Sequence, residues 1–187
     1  MIRNITQVQR ENIILDAAIV FADYGLATQR EIGITKGGVE FAVTENVRQI
    51  EYDGSRGMTK GMEVVDGIDA YLKVSTLETS LDNLNLALGA ATKTTTAITN
   101  TPGGVIPDAR YLTNVTAFGK RNASSKYTKI TIKNALAAGG LTLSTTDKGE
   151  TAVDLQLNAH WNPADLSENI YKIEDDTVGP EDYAGGA

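Results

Sequence analysis

Residues 69–89, DAYLKVSTLETSLDNLNLALG, decide the fold because the spacing of their apolar side chains changes partway along. In the first half, Leu72, Val74 and Thr76 alternate with more polar positions. This alternation is typical of a strand with one buried face. From Leu77 onward the spacing becomes that of a helix. The stretch therefore predicts a half-buried strand that runs into a helix.

The predicted helix has one apolar stripe, made by Leu77, Leu81, Leu84 and Leu88. Thr79 or Ser80 can cap its first turn, and Gly89 can end it. We expect the leucines to face a sheet, and Asn83 and Asn85 to face away from it. This is the one helix that the sequence predicts.

Strand patterns surround this segment on both sides. An apolar run at 13–22 suits a buried strand, and further strand patterns occupy 39–43, 110–118 and 126–134, with a hairpin at 141–143 and 153–159 across Asp147-Lys148-Gly149. The threonine-rich residues 92–101 are interpreted as a loop. An order of strands, one helix and strands predicts a mainly β fold, an antiparallel β-sandwich or open barrel with one packed α-helix.

The stretch from Glu45 to Met62 is long, contains Gly54, Gly57 and Gly61, and has few apolar residues. It is interpreted as a long loop or an extended hairpin. Connections of this length are usually functional or mobile, and we expect this one to be mobile in the free subunit.

The two ends of the chain differ from the body at 13–173. Residues 1–12 are polar and predict an N-terminal arm that orders on binding. After Lys172 there is no basic residue, and the segment 174–187 has five acids, Glu174, Asp175, Asp176, Glu181 and Asp182. This composition predicts an acidic, disordered tail that does not pack.

Charge is also segregated inside the body. Residues 40–69 hold seven acids and three bases, whereas residues 109–146 hold six bases and no acid. The basic candidates for an inter-subunit patch are Lys120, Arg121, Lys126, Lys129 and Lys133. Such a stretch suits contact with nucleic acid or with an acidic segment of another copy, and it equally suits a solvated face.

Several chemistries find no support among the 187 residues. The chain has no cysteine and a single histidine, His160, so thiolate metal sites and sites that need two histidines are excluded. His160-Trp161 is expected to be structural. The longest apolar run, Ala17–Ala22, is too short to span a membrane, and no signal-peptide pattern opens the chain. We expect no catalytic residues, metal or cofactor, and an intracellular site of assembly.

Four segments together resemble the tail tube, or major tail, proteins of long-tailed bacteriophages. They are LDAAIVFADYG (15–25), GITKGGVEF (33–41), RQIEYDGSRGMTKGMEV (48–64) and DLQLNAHWNPADLSENIYKI (154–173). The similarity covers residues 13–173 and consists of Gly, acidic and apolar positions.

This resemblance implies a β-sandwich flanked by one helix, in hexameric rings that stack into a hollow tube through which DNA passes. It implies a virion component assembled in the host bacterial cytoplasm, whose partners are other copies and the tape measure, tail terminator and distal tail proteins. It implies that residues 45–62 make ring-to-ring contacts, with the candidates Glu45, Arg48, Glu51, Asp53, Arg56 and Lys60.

Other readings remain open from the residues alone. The first is a surface or adhesin-type β-sandwich that binds carbohydrate or a receptor. The second is a nucleic-acid-binding module that uses residues 109–146. A subunit of a type VI secretion-like inner tube is a variant of the tube hypothesis.

Overall fold

The computed structural model describes residues 6–11, 13–14, 18–122, 125–137, 139–145, 147, 149–176 and 179–180. Two helices and ten strands follow one another along the chain: α1 (Gln7–Glu11), β1 (Ile19–Ala22), β2 (Arg30–Glu31), β3 (Thr35–Gln49), β4 (Glu63–Thr76), α2 (Leu81–Ala87), β5 (Ala91–Lys93), β6 (Ile98–Asn100), β7 (Leu112–Lys120), β8 (Tyr127–Ala137), β9 (Val153–Asn158) and β10 (Tyr171–Asp176). A 3₁₀ turn at Asp108–Arg110 precedes β7.

Eight strands form one antiparallel sheet in the order β2-β1-β7-β8-β9-β4-β3, and β10 adds to β8. Strands β5 and β6 form a separate small hairpin. The predicted fold class, mainly antiparallel β, is confirmed.

Strand β8 joins the two halves of the sheet at a corner. Its first part pairs with β7 on one edge and β10 on the other, whereas its last residues, Leu136 and Ala137, pair with β9. Between these parts lies Asn134, whose φ is +49°. A non-glycine residue in this region is uncommon, and asparagine is among the residues that tolerate it best. The bend lets β8 pair with strands of both halves of the sheet, which form two layers. One layer holds β2, β1, β7 and β10, and the other holds β9, β4 and β3.

The core lies between these layers. It is a single cluster of aliphatic side chains contributed by β1, β4, β7, β8, β9, α2 and the residue after β2: Val20, Ala22, Ile32, Leu72, Val74, Ala87, Val115, Ala117, Ile132, Ala135, Ala137, Val153, Leu155 and Leu157. The alternation predicted for β4 is confirmed, because Leu72, Val74 and Thr76 are buried.

Strands β3 and β4 form the longest ladder of the sheet, and the extended hairpin that was one interpretation of residues 45–62 is confirmed. The pairing shifts register between Thr35 and Val39. Gly37 and Gly38 lie at this bulge with φ of +85° and +86°, a conformation that glycine adopts without steric cost.

The buried face of helix α2 differs from the predicted leucine stripe, which is therefore wrong in part. Ser80 caps its start, as expected, by accepting a hydrogen bond from the backbone N–H of Asn83 at 3.3 Å. The residues that α2 buries completely are Asn83 and Ala87, whereas Leu84 packs at the edge of the core. A seven-residue helix makes only two turns, so its small and polar residues can approach the sheet closely while the leucines lie to either side.

Asn83 can be fully buried because both the nitrogen and the oxygen of its amide are hydrogen-bonded. Its Nδ2 donates to the carbonyl oxygens of Ile32 at 2.7 Å and Glu78 at 3.1 Å, and its Oδ1 accepts from Arg30 at 2.8 Å. The side chain therefore ties helix α2 to residues 30–32 and to Glu78, just before the helix.

Other local predictions are also corrected. The strand expected at 13–22 is regular only over β1, and Leu15 to Ala17 lie outside the described residues. The threonine-rich loop at 92–101 contains the β5–β6 hairpin. Residues 141–143 form no strand, so β9 pairs with β4 and β8 instead.

The chain ends are corrected in part. Strand β10 extends through Asp176, so the start of the expected tail at 174 is wrong, and residues 177–178 and 181–187 lie outside the described residues. The N-terminal arm contains helix α1, which the sequence did not predict. Its ordering on binding stays a prediction.

Replacing Asn83 by Ala should lower the free energy of unfolding by about 1–3 kcal/mol, because the Ile32 carbonyl and the Arg30 guanidinium lose a partner in a buried site. Chemical denaturation of the free subunit measures this difference. Asp82→Ala, on the exposed side of the same helix, is the matched control and removes only an ion pair to Lys93, worth about 0–1 kcal/mol. Equal losses in both variants would contradict the assignment of Asn83 to the core.

Candidate functional site

The distal part of the β3–β4 hairpin, residues 44–66, stands away from the body and is called the hairpin arm. Successive side chains of a strand point to opposite faces. Residues 44–48 and 63–66 are all exposed, so neither face of this part of the ladder packs on the core. The arm is a two-stranded element that the subunit itself does not cover.

The hairpin arm exposes large apolar side chains along its length. Between 38% and 83% of their surface is accessible at Val47, Ile50, Tyr52, Met58, Val64 and Val65. Single exposed apolar residues are normal, but a contiguous group of them marks an interaction surface. This segment has the properties of a docking element.

The tip of the arm is organised around the carbonyl oxygen of Gly57. This oxygen accepts hydrogen bonds from Gln49 Nε2 at 2.6 Å, Thr59 Oγ1 at 3.2 Å and Ser55 Oγ at 3.3 Å. Gly57 itself has a φ of +124°, which favours glycine. The tip therefore has internal structure, and its mobility in the free subunit stays a prediction.

The arm brings together all six residues of the predicted stacking loop. Arg48 donates two hydrogen bonds to the Asp66 carboxylate, at 2.7 and 3.2 Å, and this interaction raises the pKa of the Arg48 guanidinium. The other five residues, Glu45, Glu51, Asp53, Arg56 and Lys60, are exposed and make no ion pair within the described part of the chain. The sequence found this site through its length and glycine content.

The predicted basic patch has a different environment. Lys129 pairs with Glu174 at 3.2 Å, and Arg121 with Asp175 at 3.2 Å. Both acids belong to β10, which lies beside β8 in antiparallel register. Three of the five predicted bases are neutralised within their own chain, since Lys133 also pairs with Glu168 at 2.5 Å.

Lys120 and Lys126 lie at the β7–β8 turn with exposed side chains. Arg121, Lys129 and Lys133 pair with acids of their own chain, and Lys120 and Lys126 lie at this turn. Its role between subunits stays a prediction. Sequence reasoning missed the partner because β10 follows β8 by about forty residues and its acids were assigned to a tail.

The other titratable groups near the bend of β8 make hydrogen bonds within the fold. His160 Nδ1 lies 3.0 Å from the Asn134 carbonyl oxygen, and the Asn134 amide donates to the His160 carbonyl oxygen at 3.1 Å. Asp165 accepts hydrogen bonds from Ser167, which lower its pKa. Among the described residues, no three His, Asp or Glu side chains are grouped closely enough to hold a metal ion.

Neither helix in the described ranges has the length and apolarity that crossing a bilayer requires.

The ion pairs of β10 predict a pH-dependent stability. Hydrogen bonds from Lys172 and then Lys129 lower the pKa of Glu174, so its ionised form stabilises the folded state above the ordinary value of about 4.3. This stabilisation is lost as the pH falls through the lowered pKa. Glu174→Gln should melt below the wild type at pH 7, and the difference should shrink as the pH falls below about 4.3, the ordinary value for a glutamate.

Thermal melts followed by circular dichroism from pH 7 to pH 3 measure this difference. Glu51→Gln, at an exposed carboxylate of the arm, is the control and should match the wild type throughout. A constant difference across the pH range for Glu174→Gln would show that ionisation of this group does not stabilise β10.

No protein-family model matches the sequence, and no curated protein sequence matches it. Among solved structures, a chain from the virion of a native gene transfer agent particle is similar, with 9% sequence identity and a TM-score of 0.45. The alignment covers 78% of this chain and 92% of that chain. A likeness this weak carries no argument, so the functional argument depends on the hairpin arm, the sheet edges and the charges.

Proposed function

We propose that the chain is a structural subunit that polymerises into a hollow tail tube, as hexameric rings stacked on one another, through which phage DNA passes. The hairpin arm is the observation that carries the proposal. It projects from the body, exposes apolar side chains on both faces, and has an ordered tip. A subunit that works alone gains nothing from such an element, whereas a polymer uses it to bind the next copy.

The edges of the sheet support the same proposal. Strands β2 and β3 end the sheet, and their outer edges are unpaired within the described ranges. An open edge of fifteen residues, as in β3, is a template for pairing with another chain. Charged residues along it, such as Lys36, Glu40 and Arg48, disfavour unspecific pairing and favour a partner of matching charge.

Two kinds of contact are enough to build a tube. Heterologous contacts that close around an axis give a ring, and contacts that do not close give a filament. Lateral edges suit the ring, and the arm suits the stacking of rings. The number six, the passage of DNA, the virion location, assembly in the host cytoplasm and the tail-protein partners come from the sequence resemblance and form part of this proposal.

A secretion-type inner tube would use the same two contacts. Its distinction from a phage tail lies in its partners, so co-purification with a tape measure protein or with a secretion sheath separates the two.

Shortening the arm tests the proposal. Replacing residues 50–62 by Asn-Gly gives a two-residue turn between Gln49 and Glu63, which are paired in the ladder. The tip's hydrogen bonds stay within the arm, so the body should keep its melting temperature while polymerisation is lost. Electron microscopy and sedimentation of the purified protein at rising concentration measure the outcome.

The matched control shortens the other exposed hairpin, by replacing residues 94–97 between β5 and β6 with Asn-Gly. This variant should assemble like the wild type. Tubes of normal length from the arm-shortened chain would contradict a stacking role. A wild-type protein that stays monomeric at every concentration would refute the tube proposal itself.

A groove at the base of the arm favours a second candidate function, carbohydrate binding. It is lined by Trp161, Tyr71, Asp69, Gln156 and Asn158, among others. An exposed indole beside amide and carboxylate groups can stack on a sugar and bind its hydroxyls. Because Trp161 is the single tryptophan, its fluorescence should change on titration with an oligosaccharide panel. An unchanged spectrum removes this candidate.

A further inference from the structure

The tip of the β3–β4 ladder holds two acids, Glu51 and Asp53, which are followed by a basic segment, whereas the opposite end of the ladder is acidic. At the tip, residues 54–62 contain Arg56 and Lys60 and no acid. Neither base makes an ion pair in the part of the chain that the structure describes. Between them lies Met58, which is 83% exposed. These three residues are called the tip surface, an unbranched apolar side chain with a cation on each side.

The opposite end of the ladder is acidic and also has an exposed apolar residue. Thr35 pairs with Thr76, which in turn pairs with Val153 on β9. The neighbouring residues are called the far-end surface, and they are Ile34, Glu78, Glu150 and Asp154. Ile34 is 72% exposed, and all three acids are exposed as well. Lys36 neutralises part of this charge through its ion pair with Glu150 at 3.0 Å.

The position of Glu78 depends on a glycine. A Cβ placed on Gly33 would come within 2.1 Å of the Glu78 carboxylate oxygen, and Gly33 has a φ of +100°. The missing side chain leaves room for the carboxylate directly beside Ile34. An acidic group and an apolar group of the far-end surface, Glu78 and Ile34, therefore lie side by side.

We propose that the tip surface of one copy docks on the far-end surface of a second copy. This inference rests on the proposed function and identifies the receptor of the arm. Both surfaces present an exposed aliphatic or thioether side chain that gains by burial, and their charges are opposite in sign. Because the surfaces lie at opposite ends of one ladder, the contact is head-to-tail and repeats along an axis without closing.

Charge also fixes the direction of stacking. A tip-to-tip contact would bring four cations together, and a contact between two far ends would bring carboxylates together. Like charges in contact disfavour both arrangements. The head-to-tail order is the one that brings Arg56 and Lys60 of one copy against the carboxylates of the next.

A nucleic acid is a poorer partner for the tip. Phosphates would pair with Arg56 and Lys60, but Met58 would remain in water. An acidic protein surface with an apolar centre satisfies both the cations and the methionine.

Cross-linking tests the contact directly, because the chain contains no cysteine. In the double variant Ile34→Cys with Met58→Cys, the two thiols lie at opposite ends of a ladder whose β3 strand alone spans roughly 50 Å. A disulfide needs Cα atoms within about 7 Å, so it can form only between copies. Tubes assembled under reducing conditions, then oxidised and denatured, should give a ladder of covalent oligomers on a non-reducing gel.

The control pairs Met58→Cys with Val105→Cys. Val105 is 96% exposed but belongs to neither surface, and this variant should give no ladder. Wild-type tubes together with no ladder from the first variant, or an equal ladder from the control, would overturn the inference while the tube proposal stands. Failure of the wild type to form tubes would refute the tube proposal and this inference with it.

Charge reversal gives a second measurement for the case in which the cysteine variant does not assemble. Arg56→Glu with Lys60→Glu should lower the sedimented fraction about fivefold or more, without changing the melting temperature. Mixing it with Glu150→Lys and Asp154→Lys in a second chain should restore sedimentation, whereas each chain alone should not. Normal assembly of the first variant, or no rescue in the mixture, would overturn the inference.

Discussion

The corner of β8 is the constraint on which the rest of the structure depends. One strand must pair with β7 and β10 in one layer and with β9 in the other, and Asn134 makes this possible by adopting a positive φ. The bend is fixed by reciprocal hydrogen bonds between Asn134 and His160. Because β9 then pairs with β4, the same corner also places the base of the hairpin arm. A change at Asn134 would act on both layers at once.

Stability and assembly are assigned to different parts of the chain. The aliphatic cluster between the layers and the buried amide of Asn83 stabilise the body of the subunit. The exposed residues of the hairpin arm, 44–48 and 63–66, are not part of that cluster. The exposed apolar residues of the arm are instead available to another copy. Under the proposed function, this separation lets the free subunit fold completely while it keeps a surface that is buried only in the polymer.

Local patterns predicted the elements whose partners are close in sequence. The alternation in β4 and the glycines of the arm were enough to predict a long exposed hairpin, since β3 and β4 are joined directly. The patterns failed where the partner is remote. The acids of β10 indicated a disordered tail because the bases that pair with them, Lys129 on β8 and Arg121 just after β7, lie far back along the chain.

Helix α2 and the threonine-rich hairpin show two other limits. The leucine spacing correctly indicated a helix, but the buried face depends on Ile32 and Arg30, which no helical period reveals. The β5–β6 segment was interpreted as a loop from its composition, although threonine is itself a good strand former. The helix was limited by a contact outside the local segment, whereas the hairpin was missed because composition was given more weight than strand propensity.

The topology has a consequence for the order of folding. The arm joins residues that are neighbours along the chain, whereas β1 pairs with β7 across more than ninety residues and β4 pairs with β9 across about eighty. Hairpins close within microseconds, and contacts of large sequence separation form more slowly. We expect the hairpin arm to form before the sandwich is complete, so a partly folded chain already exposes the apolar side chains of the arm. The charged residues along the hairpin arm then disfavour aggregation of these partly folded chains.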